Sequence, residues 1–141
     1  MFYQAKISRE NQYWLAEFPD CPGCQTFAES ESELFAMATE ALHGWIEVSL
    51  EYGDVIFAPG IYTGSDFIRV RVPPDLAVRI QLRLACKQAG CTLLDLAERA
   101  GIPARDVAEL ENSGSNLTIG TLTKIATALG MALDVRLEAI A

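Results

Sequence analysis

The chain has 141 residues, of which half are apolar, and its 11 Lys and Arg face 19 Asp and Glu for a net charge of −8. That length fits one typical domain or two small ones, and the apolar content excludes a disordered chain. No apolar run reaches the roughly 18 residues that span a bilayer, and the start MFYQAKISRE lacks the apolar centre of a signal peptide.

In chain order, Phe2–Ser8 alternates with strand period, Arg9-Glu10-Asn11 reads as a polar turn, and Gln12–Phe18 is a second strand that closes a β-hairpin. Pro19, Pro22 and Gly23 break the run, and Gln25–Ala28 is a short third strand. Ser30 or Ser32 can cap a helix over Glu33–Leu50, with Glu31 and Glu33 at its positive end. Its expected apolar stripe is Leu34, Met37, Ala38, Ala41, Leu42, Trp45 and Val48. Tyr52-Gly53 ends it, residues 53–65 read as a loop, and Phe67–Val72 alternates again as a fourth strand.

Pro73-Pro74-Asp75 opens a helix that carries a basic stripe, Arg79, Arg83 and Lys87, and that stops at Gly90. Thr92 caps a helix over Leu93–Ala100, Gly101 breaks it, and Pro103 suits the first turn of the next helix, Pro103–Glu111. Thr118 caps a last helix, Ile119–Leu129, closed by Gly130. Leu133, Val135 and Leu137 alternate, which predicts a short terminal strand. The expected fold class is α+β: a small β-β-β-α-β domain over 1–72, then an all-α domain of four or five helices over 73–141.

The charge is uneven. Residues 1–66 set Lys6 and Arg9 against eleven acids, a net −9, which suits a basic partner. Residues 67–89 carry a net +4 and residues 90–141 a net −3. Cysteine and histidine add little chemistry. Cys21-Pro-Gly-Cys24 falls in a loop between strands, whereas a redox pair opens a helix, and a zinc site needs two further ligands. Cys86 and Cys91 fall in the other domain, and His43 has no neighbouring Cys, Ser or Asp with which to act. The reading is therefore reduced thiols, no metal, no cofactor and no catalytic residue.

Two short helices joined by a tight glycine turn make a helix-turn-helix. Over residues 76–133 the chain resembles the XRE/Cro (lambda-repressor-like) family. The strings that carry it are LAERAGI, Glu111 at the end of the second motif helix, and LTKIATALGM. In that family the start of the second motif helix enters the major groove. By position the resemblance implies Pro103, Ala104, Arg105, Ala108 and Glu109 as base readers. It places Thr92 and Leu93 on the DNA backbone, and Asn112, Ser113 and Ser115 on phosphates. The family often has Gln where this chain has Leu93, and Asp106 and Glu109 make the reading face poor in donors. The basic stripe Arg79, Arg83 and Lys87 would compensate by flanking the DNA.

Residues 1–72 are similar to the HicB-type antitoxin domain. Tyr13-Trp14 leads into Phe18–Cys24, whose Pro19-Asp20-Cys21-Pro22-Gly23 matches a PD-x-PG loop, and Pro59 matches the proline after the helix. The resemblance implies a partial ribonuclease-H-like fold without its activity, since the strands offer only Glu17 and Asp20 as metal ligands. With the cytoplasmic location expected from the lack of a spanning run or signal-peptide pattern, it implies a protein that masks a small basic HicA-type ribonuclease toxin and represses its own operon by binding operator double-stranded DNA as a homo-oligomer, dimer or tetramer. Asp20, Glu29, Glu31 and Glu33, at the loop and the helix start, are the acids expected to meet the toxin. The alternative is a stand-alone dimeric transcription regulator whose first domain senses a ligand or thiol state.

Overall fold

The computed structural model describes residues 1–106 and 118–140. The chain divides into two compact units, Met1–Leu84 and Ala85–Ala141. The first unit opens with β1 (Phe2–Glu10), β2 (Tyr13–Glu17) and β3 (Gln25–Ala28), followed by α1 (Glu31–Tyr52) and β4 (Phe67–Arg71). The expected β-β-β-α-β order is therefore found. The four strands form one antiparallel sheet in the order β3-β2-β1-β4.

The hairpin turn falls at Asn11-Gln12, between the paired Glu10 and Tyr13, two residues later than the polar run suggested. Asn11 takes φ +56°, a left-handed conformation that asparagine tolerates better than most residues. Arg9 stays in the strand because its guanidinium lies over the ring of its cross-strand partner Trp14, 5.0 Å from the centroid.

Ser30 is the cap of α1: its hydroxyl accepts from the Glu33 N–H at 3.3 Å, and Gly53 closes the helix at φ +70°. The buried residues are Leu34, Ala38, Leu42, Ile46, Ser49 and Leu50. This corrects the expected stripe, since Met37 and Val48 are exposed. At about 100° per residue, steps of four drift by about 40° per turn, so over a helix this long the seated arc moves towards Ile46 and Leu50 and leaves Met37 and Val48 on its flank. The arc packs against the inward residues of the sheet, Tyr3, Ala5, Ala16, Ala28 and Val70, to form the core.

Helix α2 (Pro74–Ala89) begins at the expected proline. Its Leu76, Ala77 and Ile80 belong to the core of the first unit, so the compact unit reaches Leu84 rather than ending at the Pro73-Pro74 break. The basic stripe is also corrected. Arg79 is buried, and the Arg83 guanidinium donates to the carbonyls of Ser49 (3.2 Å), Leu50 (2.9 Å) and Asp54 (3.1 Å). Helix α1 has no basic residue in its last turn, and Arg83 supplies the positive charge that its carbonyl end favours. Of the three, only Lys87 is left exposed for a phosphate.

In the second unit Thr92 caps α3 (Leu93–Ala100) through a capping box with Asp95, and Gly101 closes it at φ +69°. These hydrogen bonds from Thr92 hold the Asp95 carboxyl below its ordinary range. Ala104, Arg105 and Asp106 are helical after Pro103. Thr118 caps α4 (Ile119–Ala128), and Gly130 follows it at φ +73°. Helix α3 packs on α4 around the buried Leu96, Ala97 and Ile125. The strand expected at Leu133–Leu137 is not formed: residues 131–140 lie in no regular element. Among the described residues, no helix is long and apolar enough to cross a membrane.

Candidate nucleic-acid interface and partner-binding face

The turn from α3 into the next helix is built by local chemistry. The Ile102 N–H donates to the Ala97 carbonyl at 2.8 Å and the Ile102 side chain is buried, so Pro103, Ala104 and Arg105 emerge together on the surface. The Arg105 side chain is 85% exposed, and among the described residues it pairs loosely, at 3.8 Å, with its neighbour Asp106. A pair that exposed contributes little, so the guanidinium is available to an incoming anion or base edge. Thr92 is exposed, but its hydroxyl already accepts from the Asp95 N–H at 3.1 Å, and Leu93 is half-buried. Both therefore serve the helix start first. The expected contacts at Ala108, Glu109, Asn112, Ser113 and Ser115 lie outside the described residues.

The acids expected to meet a partner fall in two places on the first unit. Glu29, Glu31 and Glu33 are exposed around the Ser30 cap of α1, where the helix N-terminus offsets part of their mutual repulsion. Asp20 differs from them. It is half-buried, its Oδ2 accepts the Gly60 N–H at 2.7 Å, and its Oδ1 accepts the Tyr62 hydroxyl at 2.7 Å. This hydrogen bond, then desolvation and the negative charge of Asp20, raise the Tyr62 pKa. Gln4 clamps the same residue, donating to the Tyr62 carbonyl at 2.9 Å and accepting its N–H at 2.7 Å, while the Tyr62 ring stacks on Phe67. Asp20 thus ties the PD-x-PG loop to the segment after α1. On the other side of that loop, the Trp45 indole N–H donates to the Pro22 carbonyl at 3.1 Å.

The comparisons with known proteins follow this division. A family model described as helix-turn-helix matches residues 82–135. Antitoxin HicB 1 of Photorhabdus laumondii subsp. laumondii is 29% identical over 125 residues, which cover 89% of this chain and 79% of that protein. Antitoxin HicB 2 of the same organism is 26% identical over 134 residues, which cover 95% of this chain and 94% of that protein. The chain is similar to these HicB antitoxins along most of its length, and its residues 82–135 match the helix-turn-helix model. Among solved structures, the crystal structure of the N-terminal domain of Burkholderia pseudomallei antitoxin HicB is 23% identical, with a TM-score of 0.46 over 52% of this chain and 99% of that one.

The cysteines of the first unit are placed for packing. Cys21 and Cys24 are buried in the core of the first unit, and the loop closes on itself through Cys24 N–H to the Cys21 carbonyl at 2.9 Å. Burial first, then the neighbouring Cys24 and Asp20 charges, push the Cys21 thiol up to about 12, and burial pushes Cys24 up to about 11. A reactive thiol needs the opposite shift. Among the described residues no group of three or more His, Cys, Asp and Glu could hold a metal ion.

Two surface features escaped the sequence reading. The exposed rings of Tyr13 and Phe27 meet edge to face at 5.7 Å on the outer face of β2 and the edge strand β3. Period-2 alternation in those two strands, taken with their pairing, was the signal for it. His43 sits in α1 with Nε2 3.2 Å from the Arg71 carbonyl, a helix-to-strand tie that no spacing announces.

Proposed function

We propose that the chain is an antitoxin and autorepressor without catalytic activity. Its first domain, residues 1–72, binds and masks a small basic ribonuclease toxin of the HicA type. Its second, residues 73–141, of which 73–84 pack with the first unit, binds operator double-stranded DNA through the helix-turn-helix and holds the chain in a homo-oligomer, dimer or tetramer, in the cytoplasm. The observation that carries the reading is the likeness to two HicB antitoxins across both units, 95% of the chain in the longer match. The net −9 of residues 1–66 supports it, since complementary charge speeds encounter with a basic partner. Glu29, Glu31 and Glu33 are exposed to meet such a partner, and Asp20 contributes by holding its loop against the segment after α1.

The thiol-sensing alternative has less support, because Cys21 and Cys24 are buried and hard to ionise. The test of the antitoxin reading is purification of the chain after expression from its own operon. A stoichiometric small basic protein, toxic when expressed alone, is the expected companion. A chain that purifies alone from that operon overturns it.

Arg105→Ala tests the DNA half. With operator DNA the variant is expected to lose about 1–3 kcal/mol of binding if the guanidinium reads a guanine, measured by fluorescence anisotropy at fixed salt. Affinity for the toxin stays as in the wild type. A variant that binds operator as tightly as the wild type removes Arg105 from the interface.

A further inference from the structure

We propose that Cys86 and Cys91 form a reversible disulfide, made by exchange with a small disulfide of the glutathione type, that locks the turn between α2 and α3. Two hydrogen bonds at the end of α2 carry the inference. The Cys91 N–H donates to the Cys86 carbonyl at 3.1 Å, and the Gly90 N–H donates to the Lys87 carbonyl at 3.2 Å. Gly90 itself takes φ +69°. This nested pair around a left-handed glycine is a Schellman closure, in which the side chain after the glycine meets the one five positions before it. That contact is ordinarily apolar, and here both positions are cysteine.

Accessibility sets the order of steps. Neither thiol is in a disulfide, Cys86 is buried and Cys91 is half-buried. Cys91 loses its proton, and its thiolate attacks one sulfur of the small disulfide. A mixed disulfide forms and one small thiolate leaves. The Cys86 thiolate then attacks Cys91 Sγ, the mixed bond breaks, and the second small thiolate leaves. The chain gives up two electrons and two protons, and the small disulfide becomes two thiols. A disulfide spans roughly 4.4–6.8 Å between Cα atoms, a separation that the Cys91-to-Cys86 backbone hydrogen bond already enforces, so the second step needs only side-chain rotation. Cys21 and Cys24 are both buried and offer no half-exposed thiol for the first step. The new bond lies within residues 82–135, the helix-turn-helix match, and directly precedes the Thr92 cap of α3. It therefore holds the α2 end and the α3 start together where the reduced turn depends on two backbone hydrogen bonds.

The test incubates the full chain, without denaturant, in mixtures of oxidised and reduced glutathione, then blocks the remaining thiols and maps tryptic peptides without reduction. Trypsin cuts after Lys87, between the two cysteines, so the bond appears as Leu84–Lys87 joined to Gln88–Arg99. The joined pair is expected to grow with the oxidised share and to vanish on addition of dithiothreitol. Amide hydrogen exchange at Gly90 and Cys91, whose N–H groups close the turn, is expected to slow about threefold or more in the oxidised chain. Cys86→Ser is expected to stop at the mixed disulfide on Cys91, and Cys91→Ser to leave Cys86 unmodified. Gly90→Ala strains the left-handed turn and is expected to slow the second step about threefold or more while the first keeps its rate. Circular dichroism shows that each variant folds. The proposal is overturned by blocked thiols at both positions in every mixture, by a wild-type chain that stops at the mixed disulfide, by a joined pair that forms only in urea, or by unchanged exchange at the turn.

Discussion

Leu42→Ala is expected to cost the first unit about 2–5 kcal/mol, whereas Val48→Ala changes stability by about half a kcal/mol or less in either direction. Both residues are apolar, both lie on α1, and both belong to the stripe that spacing alone predicts. Leu42 is fully buried between α1 and the sheet, so its truncation removes contacts and leaves a cavity that the close-packed Tyr3, Ala5 and Val70 cannot fill. Val48 is 51% exposed, and there alanine's better helix propensity offsets the little area lost. Urea denaturation of the two variants checks it. Equal losses would mean that α1 seats on the sheet through the Met37–Val48 flank, and the rotation that brings Ile46 and Leu50 into the core would be wrong.

The same helix shows where the sequence is legible. Signals that act within a few residues survive folding unchanged. Ser30, Thr92 and Thr118 cap the helices that follow them, and Gly53, Gly101 and Gly130 follow the helix ends, because a cap needs only a hydroxyl or a positive φ at one place. Signals that depend on a distant partner do not. Pro73-Pro74 marks a helix start, yet it does not mark the edge of the compact unit, because Leu76, Ala77 and Ile80 find their apolar partners in the sheet and α1. Arg83 looks in sequence like a phosphate-binding stripe with Arg79 and Lys87, and it is spent on carbonyls at the end of α1, about thirty residues away in sequence. Asp20 is legible as part of a loop motif, but its hydrogen bonds to Gly60 and Tyr62 cross forty residues and no local pattern announces them. Exposed side chains are the easier case. Arg105 and Glu29, Glu31 and Glu33 stand on the surface where their positions after Pro103 and around Ser30 put them.

Alkaline pH is expected to destabilise the first unit by way of its buried cysteines. The folded state holds the protons of Cys21 and Cys24 up to about 12 and about 11, against an ordinary value of 9.0. A group whose folded pKa is raised contributes stability that is fully present below its unfolded value and is lost as pH climbs towards the folded one. Below about pH 8 both states carry neutral thiols and stability does not respond. Between pH 9 and about 11 the unfolded chain gives up these protons while the folded one keeps them, and the loss reaches about 3 kcal/mol or more by pH 11. The two thiols are neighbours, so their losses do not simply add, and Tyr3, whose hydroxyl is also raised by burial and donates to the Phe57 carbonyl at 2.7 Å, adds to the decline above pH 10. Urea unfolding at pH 8, 9, 10 and 11 measures the slope, with Cys21→Ala/Cys24→Ala as the comparison. The double variant starts from a lower stability at pH 8, because two buried side chains shrink, but its curve flattens across pH 9 to 11, leaving only the tyrosine contribution. Equal slopes in the two proteins would mean that water or a cation reaches these thiols. In that case Cys21-Pro-Gly-Cys24 would return as a candidate for redox or metal chemistry, and the thiol-sensing regulator would regain its footing.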